Sequence, residues 1–209
     1  MSITRLQIET FSVGQLKANC YLVFDPETKE ALLIDPGEAP EFLAQKIIEE
    51  KLKLKYLIAT HGHFDHVLAV GVLKAIFKTS FLMNKKDQKL LNKMNDSASY
   101  WLGIKSRYPV AEVNQNLEEG QILKLGKKSL KVIETPGHTP GGICLLGQKI
   151  LFSGDTLFLS GIGRTDYSYS DKDQMKKSLQ KLLKLPAATI VYPGHGSITS
   201  IKNEKMRLK

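Results

Sequence analysis

All five histidines of this 209-residue chain stand in or just after turns that follow strand-like runs. Three fall inside THGHFDH at 60–66, as His61, His63 and His66. The other two occupy glycine-rich turns of their own, His138 in TPGHTPGG and His195 in YPGHG. Histidines used as ordinary polar residues would be scattered, some of them on exposed helices. Placing them all beyond strand ends asks for a fold in which those ends meet, and the loops at the carboxyl ends of strands are where open α/β sheets carry their sites.

The periodicity around the histidines agrees. ITRLQIETF, NCYLVFD and EALLIDPG are short runs rich in β-branched and aromatic residues and bounded by turns, which predicts three strands. DPETKE is the hairpin connection between the second and third, and Pro36-Gly37 stops the third. In 40–52 the apolar residues Phe42, Leu43, Ile47, Ile48 and Leu52 recur at helical spacing, with Pro40 at the first turn. LKYLIAT reads as a buried strand, 67–77 as a buried helix and 85–105 as a helix and turn. The second half returns to strands at QILKLG, LKVIETPG, GGICLLG and KILFSGD. A helix over 171–184 with Asp171 as its N-cap follows, then a strand at ATIVYPG. The two halves are alike in plan.

Two carboxylates share the histidines' setting: Asp65 within the first motif and Asp155 in FSGDT after KILF. In HGH, His61 and His63 alternate as in an extended segment, so both rings face one side, and Gly62 permits the tight path between them. Asp65 and His66 follow as the chain turns into a helix and can face a second centre. Imidazole with carboxylate suits zinc, iron or manganese. Seven such groups exceed one tetrahedral ion and suit two ions about 3.5–4 Å apart.

Composition excludes other classes. The net charge is +9, but the lysines are spread over many segments and rarely interleaved with aromatics. That pattern argues for solvated helix faces and against a nucleic-acid partner, while diffuse positive charge can still draw in a small anion. No basic start followed by an apolar run marks a leader, and no apolar run is long enough for a membrane span. Cys20 and Cys144 lie in apolar strands and are expected as buried free thiols, which points to the cytoplasm. The length suits a single domain over 1–209.

NCYLV at 19–23, LLIDPG at 32–37, THGHFDH, TPGHTPGG, FSGDTLF, GIGRTD at 161–166 and YPGHG at 192–196 together resemble the metallo-β-lactamase superfamily, and specifically its glyoxalase II-like branch. The resemblance covers nearly the whole chain. It implies an α/β fold of four layers, an αββα sandwich with the site at the edge of the two sheets. It also implies two divalent metal ions, zinc foremost, with iron and manganese as alternatives. His61, His63 and His138 would hold the first, Asp65, His66 and His195 the second, and Asp155 would bridge them. The implied reaction is hydrolysis of a glutathione-type thioester by a metal-bridging hydroxide, which Asp65 would orient as a catalytic residue.

Two departures bear on the substrate. The chain ends fourteen residues after His195, so the C-terminal helical extension that helps longer glyoxalase II enzymes bind glutathione is expected to be missing. In GIGRTD, Arg164 falls at the family's basic position, but Asp166 falls where a tyrosine would stand. GRTD is typical of short bacterial hydrolases and of persulfide dioxygenases. Arg164 is the candidate to hold a substrate carboxylate, with an ion pair to Asp166 as its alternative role. Tyr100, Trp101 and Tyr108 are expected in the core, as aromatics in a helix usually are, with a place lining a pocket as the alternative. The competing activity is a mononuclear iron persulfide dioxygenase using His61-, His138- and Asp155-like ligands. A nuclease or a β-lactamase of the same superfamily comes after it.

Overall fold

The computed structural model describes residues 5–208 except 104 and 106. Ile3 and Thr4 of the first predicted strand, and Ile104 of the predicted 85–105 helix, lie outside the described residues.

Two six-stranded sheets form the middle of the molecule. The first runs in chain order through β1 (Gln7–Val13), β2 (Ala18–Phe24), β3 (Glu30–Ile34), β4 (Lys53–Ile58), β5 (Ser80–Met83) and β6 (Gln115–Asn116). The second runs β7 (Ile122–Leu125), β8 (Lys128–Glu134), β9 (Ile143–Gly147), β10 (Ile150–Gly154), β13 (Ile190–Pro193) and β14 (Thr199–Ser200). A small hairpin of β11 (Leu157–Phe158) and β12 (Gly161–Ile162) stands between β10 and β13 in the chain. Each sheet begins with antiparallel neighbours and then crosses over to a parallel one, β3 to β4 and β10 to β13. The crossovers carry α1 (Pro40–Glu49) and α6 (Lys172–Leu182). The likeness of the two halves is thus physical.

Strand alternation divides the apolar residues into three layers. On β2, Cys20, Leu22 and Phe24 pack with α1, α2 (Phe64–Val67) and α3 (Val70–Phe77), whereas Tyr21 and Val23 face the other sheet. On β10 and β9, Phe152 and Leu145 face the first sheet, while Leu151 and Cys144 pack beneath α6 and α7 (Ile201–Arg207). Helix, sheet, sheet, helix is the resulting order, as expected. Each Leu or Phe fully withdrawn from water in these layers contributes about 1.5–3 kcal/mol. Cys20 and Cys144 are buried free thiols on opposite outer faces of the pair of sheets.

Several boundaries differ from the sequence reading. Helix 67–77 is two pieces, α2 and α3. The 85–105 stretch divides into a 3₁₀ turn at Lys85–Asp87, α4 (Gln88–Asn92) and α5 (Met94–Leu102). Tyr100 and Trp101 are not core: they are 80% and 57% exposed, because α5 buries Met94 and Ala98 on its other side. Tyr108 does pack on the core, half-buried. On α1 the buried face is Pro40, Leu43, Ala44 and Ile47, which leaves Phe42 and Ile48 exposed. The short strands β5, β6 and β14, the β11–β12 hairpin and α7 were not anticipated.

Candidate metal centre

The β3 and β4 ends set the first motif. Asp35, at the end of β3 with φ +54°, accepts the Thr60 N–H at 2.6 Å and the Thr60 hydroxyl at 2.8 Å. The Thr60 hydroxyl oxygen in turn lies 3.1 Å from His61 Nδ1, and Asp35 Oδ2 lies 3.1 Å from His66 Nδ1. His63 stays extended at φ −71°, ψ 146°, and the chain then enters α2, which carries Asp65 and His66. His138 sits in the β8–β9 turn with Nδ1 2.8 Å from the Arg164 carbonyl oxygen. Asp155 follows β10, and His195 follows β13. The first sheet steadies the His195 turn: Asn19 Nδ2 donates to the carbonyls of Pro193 and Gly196, both at 2.9 Å, and the Tyr21 hydroxyl donates to Pro193.

All seven predicted groups converge, in two sets that meet at Asp155. His63 Nδ1 lies 3.1 Å from His61 Nε2 and 3.0 Å from His138 Nε2. His66 Nε2 lies 3.2 Å from His195 Nε2, and His195 Nε2 lies 3.3 Å from Asp65 Oδ2. Asp155 Oδ2 is 3.5 Å from His138 Nε2 and 3.7 Å from His195 Nε2, while its Oδ1 is 3.6 Å from His66 Nε2. Close approach depends on Gly194, where a Cβ would land on Asp155 Oδ1 and lie 3.0 Å from His66 Cε1.

The electrostatics of the two sets differ. Burial, reinforced by neighbouring histidines, holds His61 well below the ordinary imidazole range and takes His63 down to about 3. In the other set burial works against the charges and loses. It would lower His66, but Asp65, Asp155 and Asp35 raise it to about 10. It would lower His195, but Asp65 and Asp155 raise it. Burial would raise Asp65, yet His66 and His195 draw it well below the carboxylate range.

This donor set fits metal ions. Three imidazoles turn ring nitrogens to one point, an arrangement whose lone pairs repel one another unless a cation lies between them. Their spacing approaches the roughly 3.3 Å that bonds of about 2.0–2.1 Å at a tetrahedral zinc would impose. Asp155 Oδ1 is buried and has no hydrogen-bond partner, a need that a bound cation would satisfy. The outer nitrogens are already held. Besides the partners of His61, His66 and His138, His195 Nδ1 is 3.2 Å from the Leu16 carbonyl oxygen and His63 Nε2 is 2.7 Å from the Tyr169 hydroxyl. Fixed outer nitrogens set the ring orientation and tautomer of metal-binding histidines.

The sequence profile of the Metallo-beta-lactamase superfamily matches residues 13–195, a span that holds all seven groups. The chain belongs to that superfamily. Among its relatives is the hydroxyacylglutathione hydrolase GloC of Haemophilus influenzae, 40% identical over 206 residues, covering 96% of this chain and 95% of that one. The mitochondrial persulfide dioxygenase ETHE1 of Mus musculus is 30% identical over 193 residues, 88% of this chain and 68% of that one. Two solved structures superpose closely. The BLEG-1 B3 metallo-beta-lactamase has a TM-score of 0.86 at 32% identity, covering 95% of this chain and 96% of the other. TTHA1623 in a di-iron-bound form has a TM-score of 0.85 at 34% identity, covering 94% and 96%. A metallo-beta-lactamase fold with these His/Asp groups points to divalent metals.

Arg164 is not free to act alone. Its Nε and Nη2 donate to Asp166 at 3.0 and 2.8 Å, and its guanidinium lies 4.6 Å from the centre of the Tyr167 ring. The ion-pair alternative is therefore realised in this structure. Sequence reasoning missed three neighbours of the site. Asp87, fully buried, accepts the Gly62 N–H at 2.9 Å and the Gly141 N–H at 2.6 Å, tying the HGH loop to the His138 turn. Tyr167 and Tyr169 stack at 5.3 Å beside His63. The YSY spacing after GRTD was the available signal for the tyrosines; none marks Asp87.

Proposed function

We propose that this chain is a metal-dependent hydrolase of glyoxalase II type that cleaves a small anionic thioester of glutathione or a similar thiol, using two divalent ions. The observation that carries the reading is the assembly of two donor sets around the Asp155 carboxylate, one oxygen of which is buried with no hydrogen-bond partner. The whole-length similarity to a hydroxyacylglutathione hydrolase supports the substrate class.

In this reading His61, His63 and His138 hold one ion, Asp65, His66 and His195 the other, and Asp155 lies between. When bound, such a pair supplies Lewis acidity and lowers the pKa of a water toward neutrality. Asp65 stays ionised beside His66 and His195, so it can accept a hydrogen bond from the attacking water and orient it. The outer partners Asp35, Thr60, the Tyr169 hydroxyl and the carbonyls of Arg164 and Leu16 keep the rings from turning. Tyr167 and Tyr169 stand beside His63. Arg164, exposed over the Tyr167 ring, is the group that an anionic substrate would compete for against Asp166. The net charge of +9 draws anions toward the chain. The buried thiols fit a reducing compartment, and we place the activity in the cytoplasm, with neither nucleic acid nor membrane as partner.

Persulfide oxidation is the second reading, carried by similarity to a persulfide dioxygenase. The fully assembled Asp65–His66–His195 set favours the hydrolase, since a single iron would leave it unused. The deciding experiment is hydrolysis of S-lactoylglutathione by protein loaded separately with zinc, iron and manganese, with His63→Ala as the blank. Turnover abolished in the variant supports the proposal. No turnover with any metal, together with oxygen uptake on adding glutathione persulfide, overturns it.

A further inference from the structure

The five histidines differ in what holds their outer nitrogens. Those of His61 and His66 rest on Thr60 and Asp35, both buried. Those of His138 and His195 face backbone carbonyls, of Arg164 and Leu16. Only His63 is held by an exposed side chain, the Tyr169 hydroxyl, at 2.7 Å across 106 residues of sequence.

With Nδ1 of His63 turned to His61 and His138, the proton of a metal-binding His63 sits on Nε2 and is donated to the Tyr169 oxygen. That bond fixes the ring and raises the basicity of Nδ1. Tyr169 is itself fixed from behind. Its ring stacks on Tyr167 at an interplanar angle of 15°, Arg164 caps Tyr167, and Asp166 holds Arg164 with two hydrogen bonds. The same segment reaches His138 twice more, through the Arg164 carbonyl and through the Ser170 hydroxyl, which donates to the His138 carbonyl at 2.7 Å. Nothing from this segment is bonded to Asp65, His66 or His195 among the described contacts.

We propose that Tyr169 is a positioning residue for His63, seated by the Tyr167 stack and the Arg164–Asp166 pair, so that segment 164–170 sets the metal affinity of the three-histidine set and leaves the other set unchanged. Arg164 then acts on the metal centre through the tyrosines as well as on the substrate. The proposal rests on the two-ion reading above but not on the substrate, because its test needs no turnover.

The test is cobalt(II) titration of metal-free protein, following the absorption of each binding step. The Tyr169→Phe variant keeps the stack and removes only the hydroxyl. It is expected to lose about 10- to 100-fold in one step, the step that disappears in His63→Ala, with the other step as in wild type. Tyr167→Leu, which removes the stack but keeps the hydroxyl, is expected to weaken the same step by less. Both steps unchanged in Tyr169→Phe, or both weakened equally, would overturn the proposal. Wild-type protein that binds no cobalt would overturn it together with the two-ion reading. Binding intact but no thioester cleavage would count against the function alone.

Discussion

Asp87 Oδ1 accepts the Gly141 N–H at 2.6 Å although 54 residues separate them, and both glycines at this carboxylate are glycines for a steric reason. A Cβ on Gly141 would stand 2.8 Å from Asp87 Cγ, and one on Gly62 would stand 2.8 Å from the Asp87 carbonyl oxygen. The carboxylate is a buried tie between the loops that carry His61, His63 and His138. Asp87→Asn turns one acceptor into an amide NH₂ that faces an N–H donor. A buried donor left unmade costs about 1–3 kcal/mol, so urea unfolding of the variant should show a loss of that order. An unchanged midpoint would mean that the tie carries no stability.

Replacing Asp155 tests the shared carboxylate. Asp155→Ala removes a group that both donor sets approach within 3.7 Å. The expected outcome is loss of tight binding at both sites in a metal titration, with the far-ultraviolet circular dichroism retained. Loss of a single site would show that Asp155 serves one ion.

Gly194 can be tested by addition instead of removal. An alanine there puts a methyl onto Asp155 Oδ1 and against His66. Such overpacking costs typically about 1–3 kcal/mol, and here the cheapest relief is to displace the ligands. Gly194→Ala should therefore lose metal more than it loses thermal stability. A melting temperature that falls while metal affinity holds would contradict this.

The metal-free protein should lose stability on both sides of the ordinary histidine pKa of 6.5. The folded state raises His66 to about 10, so its contribution is complete below 6.5 and fades as pH rises toward 10. The folded state lowers His63 to about 3, so protonation favours the unfolded chain, and stability fades as pH falls from 6.5 toward 3. Melting temperatures of chelator-treated protein across this range should trace a dome. His66→Gln should flatten its alkaline side, and an alkaline side as steep as wild type would refute the assignment.

Arg164→Gln should leave stability within about 0.5 kcal/mol, as usual for an exposed ion pair. Beyond its part in seating the tyrosines, its effect belongs to substrate capture: the Michaelis constant for an anionic thioester should rise. An unchanged Michaelis constant would remove Arg164 from substrate binding.

The seven convergent groups were legible because each lies beside a turn signal that the chain must obey locally. HGH is centred on Gly62, His138 stands between Gly137 and the Gly141-Gly142 pair, and Asp155 follows Gly154 at the end of a strand. The four-layer order followed from the family resemblance, since β2 is buried on both faces and shows no alternation of its own. What holds the histidines was not legible, since Tyr169 reaches His63, and Asp87 and Asn19 reach the turns that carry the histidines, over long sequence separations. Tyr100 and Trp101 misled because aromatic residues in a helix suggest burial, while the burial of α5 is decided by Met94 and Ala98 one face away. The missed α7 has a readable start in hindsight: the Ser200 hydroxyl accepts the Asn203 N–H, and Glu204 follows.

His61, His63, Asp65 and His66 hang from the first sheet, whereas His138, Asp155 and His195 hang from the second. Each donor set therefore draws on both halves, and neither half alone holds a complete one. Ion uptake and docking of the halves become two faces of one equilibrium: whatever tightens the grip on the ions also tightens the seam between the sheets. Chelation should accordingly act like a wedge, opening the molecule along its apolar middle to proteolysis or exchange with heavy water before either sheet frays.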